Sequence, residues 1–502
     1  MKRYVTILVL LLAACRAGGE RPHAPSPFRF SPRPNRAAEI HWRTWDASVF
    51  AESKRSGKPV LLSLSAVWCH WCHVLDETTL SDPRVIAILN ERFVTVRVDA
   101  DQHPDIERRY ILGGWPTVAF LTASGEIIDG GTYVPVESFL ALADGVLAAV
   151  KAGGATLEAH LAGHRNQFDP TRAGPVDATI VEGVTRTLTG DADLQHGGFG
   201  GAPKFPHGDA VELLLDVGEI DVARRALDGM LKLEDPIEGG FFRYATRADW
   251  SVPHYEKMLA GNAELLAAYA HGFAVTKDAR YRAVARRLVA YLRRTLSDES
   301  TGVLYASQDA DEKYYAADAA ARAKLQAPYL DRTLLVDRAS KMVLALVNAA
   351  RDLNEPSWLE LARKYARPIA ELQEPDGRFL HARRPGVAPE VRGQLADQAH
   401  AARAFLALGG DFRARALKAI DATVRTLAAP SGGFYDADAG GEGLLGKRQR
   451  PIEDNSVMAQ ALLEAGRRAE AERVLAAFAG AYVLYGVEAA GFGRAVRELT
   501  GR

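Results

Sequence analysis

Residues 60–73 read VLLSLSAVWCHWCH. The apolar run Val60-Leu61-Leu62-Ser63-Leu64 has the length and composition of a buried strand. It leads into two cysteines three positions apart, Cys69 and Cys72, and then into an apolar-periodic helix. That placement puts Cys69 at a helix start, where the helix dipole favours thiolate. His70 and His73 add positive charge when protonated. A depressed thiol pKa makes thiolate available near neutral pH and makes it a good leaving group. The spacing therefore predicts Cys69 as nucleophile and Cys72 as resolving thiol, one turn deeper.

Outward from this stretch, residues 46–56 read as a short helix ended by Gly57 and Pro59. A second strand spans 93–98, with a helical turn at 106–110. Then come Gly113-Gly114-Trp115-Pro116-Thr117, strands over 118–121 and 126–129, and a helix over 136–151. The order is βαβ followed by ββα. Two other chemistries fit the cysteines. Cys69-His70-Trp71-Cys72-His73 has the form of a c-type haem attachment, yet the methionines at 1, 230, 258, 342 and 458 supply no axial ligand within this stretch. A metal set from both thiols with His70 and His73 is chemically open. The reading adopted is no metal and no cofactor, the Cys69–Cys72 disulfide being the redox group.

These residues resemble the thioredoxin superfamily, through Trp68-Cys69-x-x-Cys72 after a buried strand and through Trp115-Pro116-Thr117. The resemblance implies a cis Pro116 whose loop faces the disulfide and pairs with substrate backbone. It also implies a buried aspartate six residues before the first cysteine, where this chain has Ser63. His73, Asp76 and Glu77 are the candidates for handling the resolving thiol's proton.

The chain has 502 residues, 48% hydrophobic and 25% charged, which excludes a disordered or collagen-like polymer and predicts at least two domains. Sixty-two basic and 63 acidic residues leave a net charge of −1, with no excess to hold nucleic acid. The one remaining cysteine, Cys15, follows Lys2, Arg3 and an apolar run to Ala14. That run is too short to span a bilayer, which takes roughly 20 residues. With Leu12-Ala13-Ala14 before it, Cys15 resembles the lipidation site of a bacterial lipobox. This implies an exported chain, lipid-anchored to a bacterial membrane, its body in the periplasm or at the cell surface. Residues 1–15 are then the signal peptide and the proline-rich residues 16–36 an extended tether. At about 3.1 Å per residue it reaches on the order of 65 Å.

Residues 37–152 form the first domain and 170–502 the second. From about 170 the chain is helical and carries a recurring mark: Gly197-Gly198-Phe199, Gly239-Gly240-Phe241, Gly302-Val303-Leu304-Tyr305, Gly377-Arg378-Phe379, Gly432-Gly433-Phe434 and Gly491-Phe492-Gly493. Two helix-length segments separate successive marks, and twelve helices in six hairpins predict an (α/α)₆ toroid. Polar residues follow each mark at the expected starts of the inner helices: Lys204, His207 and Asp209; His254, Glu256 and Lys257; Asp337 and Arg338; Asp397 and His400; Asp454 and Asn455. Asp209, Asp337, Asp397 and Asp454 also suit helix N-caps. Together these residues predict one mouth suited to an anionic or polyhydroxylated ligand. Asp309 and Asp311 form a carboxylate pair in a loop, open to acid–base work, cation binding or plain solvation.

Several stretches together resemble the bacterial thioredoxin-domain proteins similar to spermatogenesis-associated protein 20. They are residues 69–74, 113–116, 130–133, Gly200-Gly201-Ala202-Pro203-Lys204-Phe205-Pro206, Pro253-His254-Tyr255-Glu256-Lys257-Met258-Leu259, Gln308-Asp309-Ala310-Asp311 and Asn455-Ser456. The resemblance implies a thioredoxin-like domain joined to a toroid of the N-acylglucosamine 2-epimerase and six-hairpin glycosidase type. The chain departs from the family pattern at residues 312–315, 338–341 and 452–454. Three functions are in view. The first is a membrane-tethered thiol–disulfide oxidoreductase acting on a protein thiol or disulfide. The second is a sugar-active toroid with a carbohydrate or polyol ligand and His254, Glu256, Asp309 and Asp311 in acid–base roles. The third is a binding protein without catalysis.

Overall fold

A computed structural model describes residues 28–164, 170–389, 391–438, 440–441 and 443–501. The expected signal peptide, Cys15 and residues 16–27 lie outside the described residues. No helix among the described residues is long and apolar enough to cross a membrane.

The first domain runs α1 (Ala47–Ser56), β1 (Val60–Ser65), α2 (His70–Glu77), α3 (Pro83–Arg92), β2 (Val94–Asp99), α4 (Pro104–Tyr110), β3 (Thr117–Leu121), β4 (Ile127–Gly131), α5 (Val136–Ala152) and α6 (Gly154–His164). The sheet order is β2-β1-β3-β4, with β2 parallel to β1 and β3 and β4 antiparallel. This is the thioredoxin-like arrangement expected from the sequence. Every residue of β1 is buried because both faces of this central strand are covered. Leu61 packs with Phe120 and Phe139 on one side; Leu62 and Leu64 pack with Val96 and Phe50 on the other.

Residues 28–36, assigned to the tether from their prolines, instead lie on the folded body. Ser31 donates its N–H to buried Asp76 at 3.0 Å, and Arg97 lies over the Phe30 ring. These polar and aromatic anchors outweigh the extended bias of the neighbouring prolines.

The second domain contributes α7 (Ala178–Gly190), α8 (Gly208–Val217), α9 (Ile220–Met230), α10 (Leu259–Thr276), α11 (Ala279–Arg294), the four-residue α12 (Glu312–Tyr315) and α13 (Ala319–Arg322), α14 (Val336–Asp352), α15 (Pro356–Ala370), α16 (Leu395–Leu408), α17 (Asp411–Thr426), α18 (Ile452–Glu464), α19 (Arg468–Ala476) and α20 (Ala490–Thr500). Helices α8, α10, α14, α16, α18 and α20 each pack on the next, and α20 packs back on α8. That closure makes an inner ring of six. With α7, α9, α11, α15, α17 and α19 outside it, the architecture is an (α/α)₆ toroid.

Five of the six glycine marks join an outer helix to the following inner one. Gly197, Gly239, Gly302, Gly377 and Gly432 all have positive φ. A Cβ on Gly197 would stand 2.0 Å from the Arg225 carbonyl oxygen; on Gly377, 2.5 Å from that of Lys418. Each mark thus lets a loop press against the backbone of the next outer helix. Side-chain amides lock several of them, as when Asn455 accepts from the Phe434 N–H and donates to its carbonyl oxygen. The sixth mark is a correction: Gly491-Phe492-Gly493 lies inside α20. There Gly493 permits close helix packing, since a Cβ would meet Leu213 at 2.9 Å.

The expected N-caps are also corrected. Asp209, Asp337, Asp397 and Asp454 sit within the first turns of α8, α14, α16 and α18, whose N-caps are His207, Leu335, Gln394 and Pro451.

Candidate functional site

Cys69 is the N-cap of α2, and its Sγ accepts the Cys72 N–H at 3.1 Å. The two sulfurs are joined in a disulfide. Trp68 and Trp115 pack edge to face beside it, with centroids 5.4 Å apart, and the Trp115–Pro116 bond is cis. Trp68 donates its indole N–H to buried Asp101 at 2.7 Å.

The toroid covers this site. Met258, just before α10, packs on the cluster of Ala66, Trp68, Cys69 and Cys72. The Arg243 guanidinium lies 4.4 Å from the Trp68 ring and 5.1 Å from the Trp115 ring. Cys69 is 3% exposed and Cys72 1%. Of the motif's side chains Trp71 is the most open, at 42%.

The two motif histidines differ. His70 Nδ1 stands 2.7 Å from Glu312, whose hydrogen bond holds the imidazole pKa up. His73 is buried, and desolvation, reinforced by Arg29 and Arg97, pushes it down to about 3. It is neutral and adds no charge to the site, contrary to expectation. Asp76 is bound bidentately by Arg97 at 2.7 and 3.0 Å. Glu77 is taken by the Ser31 hydroxyl. Ser63 Oγ is buried without a hydrogen-bond partner among the described residues. The toroid supplies a different carboxyl: Asp309 lies 4.0 Å from His73 and 3.1 Å from Arg29. Burial lifts it to about 7 despite the guanidinium.

From Asp101 the contacts run on to the inner helices. Arg338 binds its carboxylate at 2.6 Å, and His381 Nε2 reaches its carbonyl oxygen at 2.9 Å. His381 Nδ1 reaches both oxygens of buried Asp397 at 3.0 Å. Both nitrogens face acceptors, so the ring is the doubly protonated imidazolium. Asp397 raises its pKa to about 9 against the cost of burial. Asp337, His381 and Asp397 lie close enough to share a cation. However, an imidazolium with both N–H groups engaged has no lone pair to offer, so the set does not fit a metal.

Inside the ring lies a cavity of about 510 Å³. His207, His400 and Asp454 line it, as the sequence predicts. Asp454 also receives Arg108 of α4 at 3.0 Å, so the first domain roofs this mouth. The lining holds the carboxylates Asp209, Glu212, Glu264, Glu453, Asp454 and Glu488 against the cations Lys341, Arg403 and Arg494. Burial raises Glu212 and Glu453 to about 7. The lining thus carries more carboxyl groups than Lys and Arg side chains.

The other predicted toroid residues go elsewhere. Lys204 is buried against Asp193 at 2.5 Å, and Lys257 against Asp235 at 2.7 Å. Asp311 caps α12, Asp397 holds His381, and Asn455 clamps Phe434. His254 and Lys257 lie in two short extended segments before α10, with Glu256 between them, and the three do not share one helical turn. His254 and Glu256 face the disulfide side, with the His254 ring 6.3 Å from His70. Arg29, Asp101, Arg243 and His381 escape the sequence reading, because no local spacing ties them to Cys69.

Residues 26–153 match the family model Thioredox_DsbH, described as "Protein of unknown function, DUF255". The chain is similar to spermatogenesis-associated protein 20 of Homo sapiens. The two are 30% identical over 324 residues, 58% of this chain and 41% of that protein. The chain thus spans less than half the length of this relative. A segment of 83 residues is 35% identical to the thiol:disulfide interchange protein DsbD 1 of Pseudomonas aeruginosa, covering 16% of this chain and 14% of that one. The toroid is similar to cellobiose 2-epimerase from Bacillus thermoamylovorans, at 11% identity and a TM-score of 0.48, over 62% of this chain and 88% of that one. The fold assignment rests on the ring closure described above.

Proposed function

We propose that the protein is a thiol–disulfide oxidoreductase working through Cys69 and Cys72, exported and held to a membrane by lipid on Cys15. The carrying observation is the Cys69–Cys72 disulfide across the first turn of α2, beside the Trp115–Pro116 loop. Once reduced, Cys69 stands at the helix N-terminus, where the dipole favours its thiolate. The disulfide is the only redox group the reading requires. The sugar-active alternative loses its acid–base set, because His254, Glu256, Asp309 and Asp311 do not line the toroid's cavity.

Redox titration of the full chain, read by thiol alkylation and mass, tests the proposal. The pair should interconvert reversibly between thiol and disulfide, with Cys69→Ser and Cys72→Ser abolishing the transition. A pair that stays oxidised below about −300 mV is a structural disulfide and overturns it.

A further inference from the structure

Two charged groups on the toroid side of the disulfide are only partly matched among the described residues. The Arg243 guanidinium is stacked on Trp68 and Trp115, and among the described residues no carboxylate or carbonyl oxygen accepts from it. Glu256 is 2% exposed, and its Oε2 has no hydrogen-bond partner among the described residues; its other oxygen stands 3.7 Å from His254 Nδ1. Arg243 and Glu256 feel each other's charge but form no ion pair. The buried Trp115 indole N–H is also unpartnered among the described residues. Other charges near the disulfide are matched: His70 with Glu312, Arg29 with Asp309, Arg97 with Asp76. Leaving a half-buried guanidinium without an acceptor and a buried carboxylate oxygen without a donor is costly, unless something that binds there supplies the opposite groups.

We propose that Cys69–Cys72 exchanges with a small thiol that carries both a carboxylate and an ammonium group, the carboxylate received by Arg243 and the ammonium by Glu256. This rests on the thiol–disulfide reading above. The toroid wall of Met258 and Arg243 over a nearly buried disulfide favours a small substrate over a protein surface.

The exchange balances in two steps. A substrate thiolate attacks Cys69 Sγ. The Cys69–Cys72 bond breaks, and its electron pair passes to Cys72, which takes up the proton the thiol released. A second thiolate attacks the substrate sulfur of the mixed disulfide, and Cys69 leaves with the second proton. Two substrate thiols become one disulfide, and the protein disulfide becomes a dithiol. The reverse sequence reoxidises the protein.

Four thiols separate the two recognition groups: cysteine has both, N-acetylcysteine only the carboxylate, cysteamine only the ammonium, and 2-mercaptoethanol neither. Rate constants for reduction of the full-length protein are compared per thiolate, by alkylation and mass. Each charge-assisted contact should bring about a tenfold gain, so cysteine should exceed 2-mercaptoethanol about a hundredfold. Arg243→Gln should erase the advantage of N-acetylcysteine over 2-mercaptoethanol, and Glu256→Gln that of cysteamine. The wild-type series decides the matter even if a variant misfolds. Four thiols within about threefold of one another, or a reduced unfolded protein that outpaces cysteine, overturn the inference while exchange itself stands. A disulfide that no thiol reduces, dithiothreitol included, overturns the exchange reading and this inference with it.

Discussion

His381 shows how a single residue ties stability to pH. Its imidazolium is held between Asp397 and the Asp101 carbonyl, with the folded pKa raised to about 9 from an ordinary 6.5. Between those values the folded state binds a proton that the unfolded state lacks. The resulting stability is complete below about pH 6.5 and is lost as pH rises through 9. Melting temperature measured from pH 6.5 to 9.5 should fall for the wild type, with up to about 3 kcal/mol at stake. The decline should be shallower in His381→Asn, and parallel curves for the two proteins count against the pair. At this scale the sequence was legible in part. Cys69 caps α2 and is joined to Cys72 in its first turn, a placement that the helix start encodes locally. Lys204 and Lys257 were misplaced, because their burial depends on Asp193 and Asp235, whose pairing no helical period reveals.

The glycine marks are the element-scale signal that revealed the toroid. Gly377 has φ +96°, and a Cβ there meets the Lys418 carbonyl oxygen. Gly386 has φ +78° but open space around it. An alanine at Gly386 should cost only the left-handed backbone penalty, about 1–2 kcal/mol. At Gly377 the clash adds to that, so Gly377→Ala should destabilise clearly more in urea unfolding. Equal losses would mean that the mark does not press on the outer helix. Five marks are read correctly because each requires a left-handed residue at a loop. The sixth misleads because glycine serves equally well where helices approach closely, as Gly493 does beside Leu213. Proline misleads similarly in residues 28–36, where Ser31 and Phe30 anchor the chain.

Between the domains the contacts join residues hundreds of positions apart, which is why no sequence pattern exposed them. Arg109 of α4 binds Asp436 of the toroid at 2.7 and 3.1 Å, both side chains buried. Leu444 completes one face of the thioredoxin-like core, and its N–H donates to the Tyr110 hydroxyl at 3.3 Å. Removing one partner of a buried pair leaves the other uncompensated, at about 3–5 kcal/mol. Calorimetry of Arg109→Ala should therefore show a lower melting temperature and two separated transitions where the wild type has one. A single transition at the wild-type temperature would mean that this pair does not couple the domains. One consequence follows from α20 packing back on α8. Helix α7, where the ring begins, also touches α20, where it ends. Joining those ends and cutting any outer-to-inner loop would keep every helix beside its present neighbours. In topological terms the toroid's inner ring is a cycle.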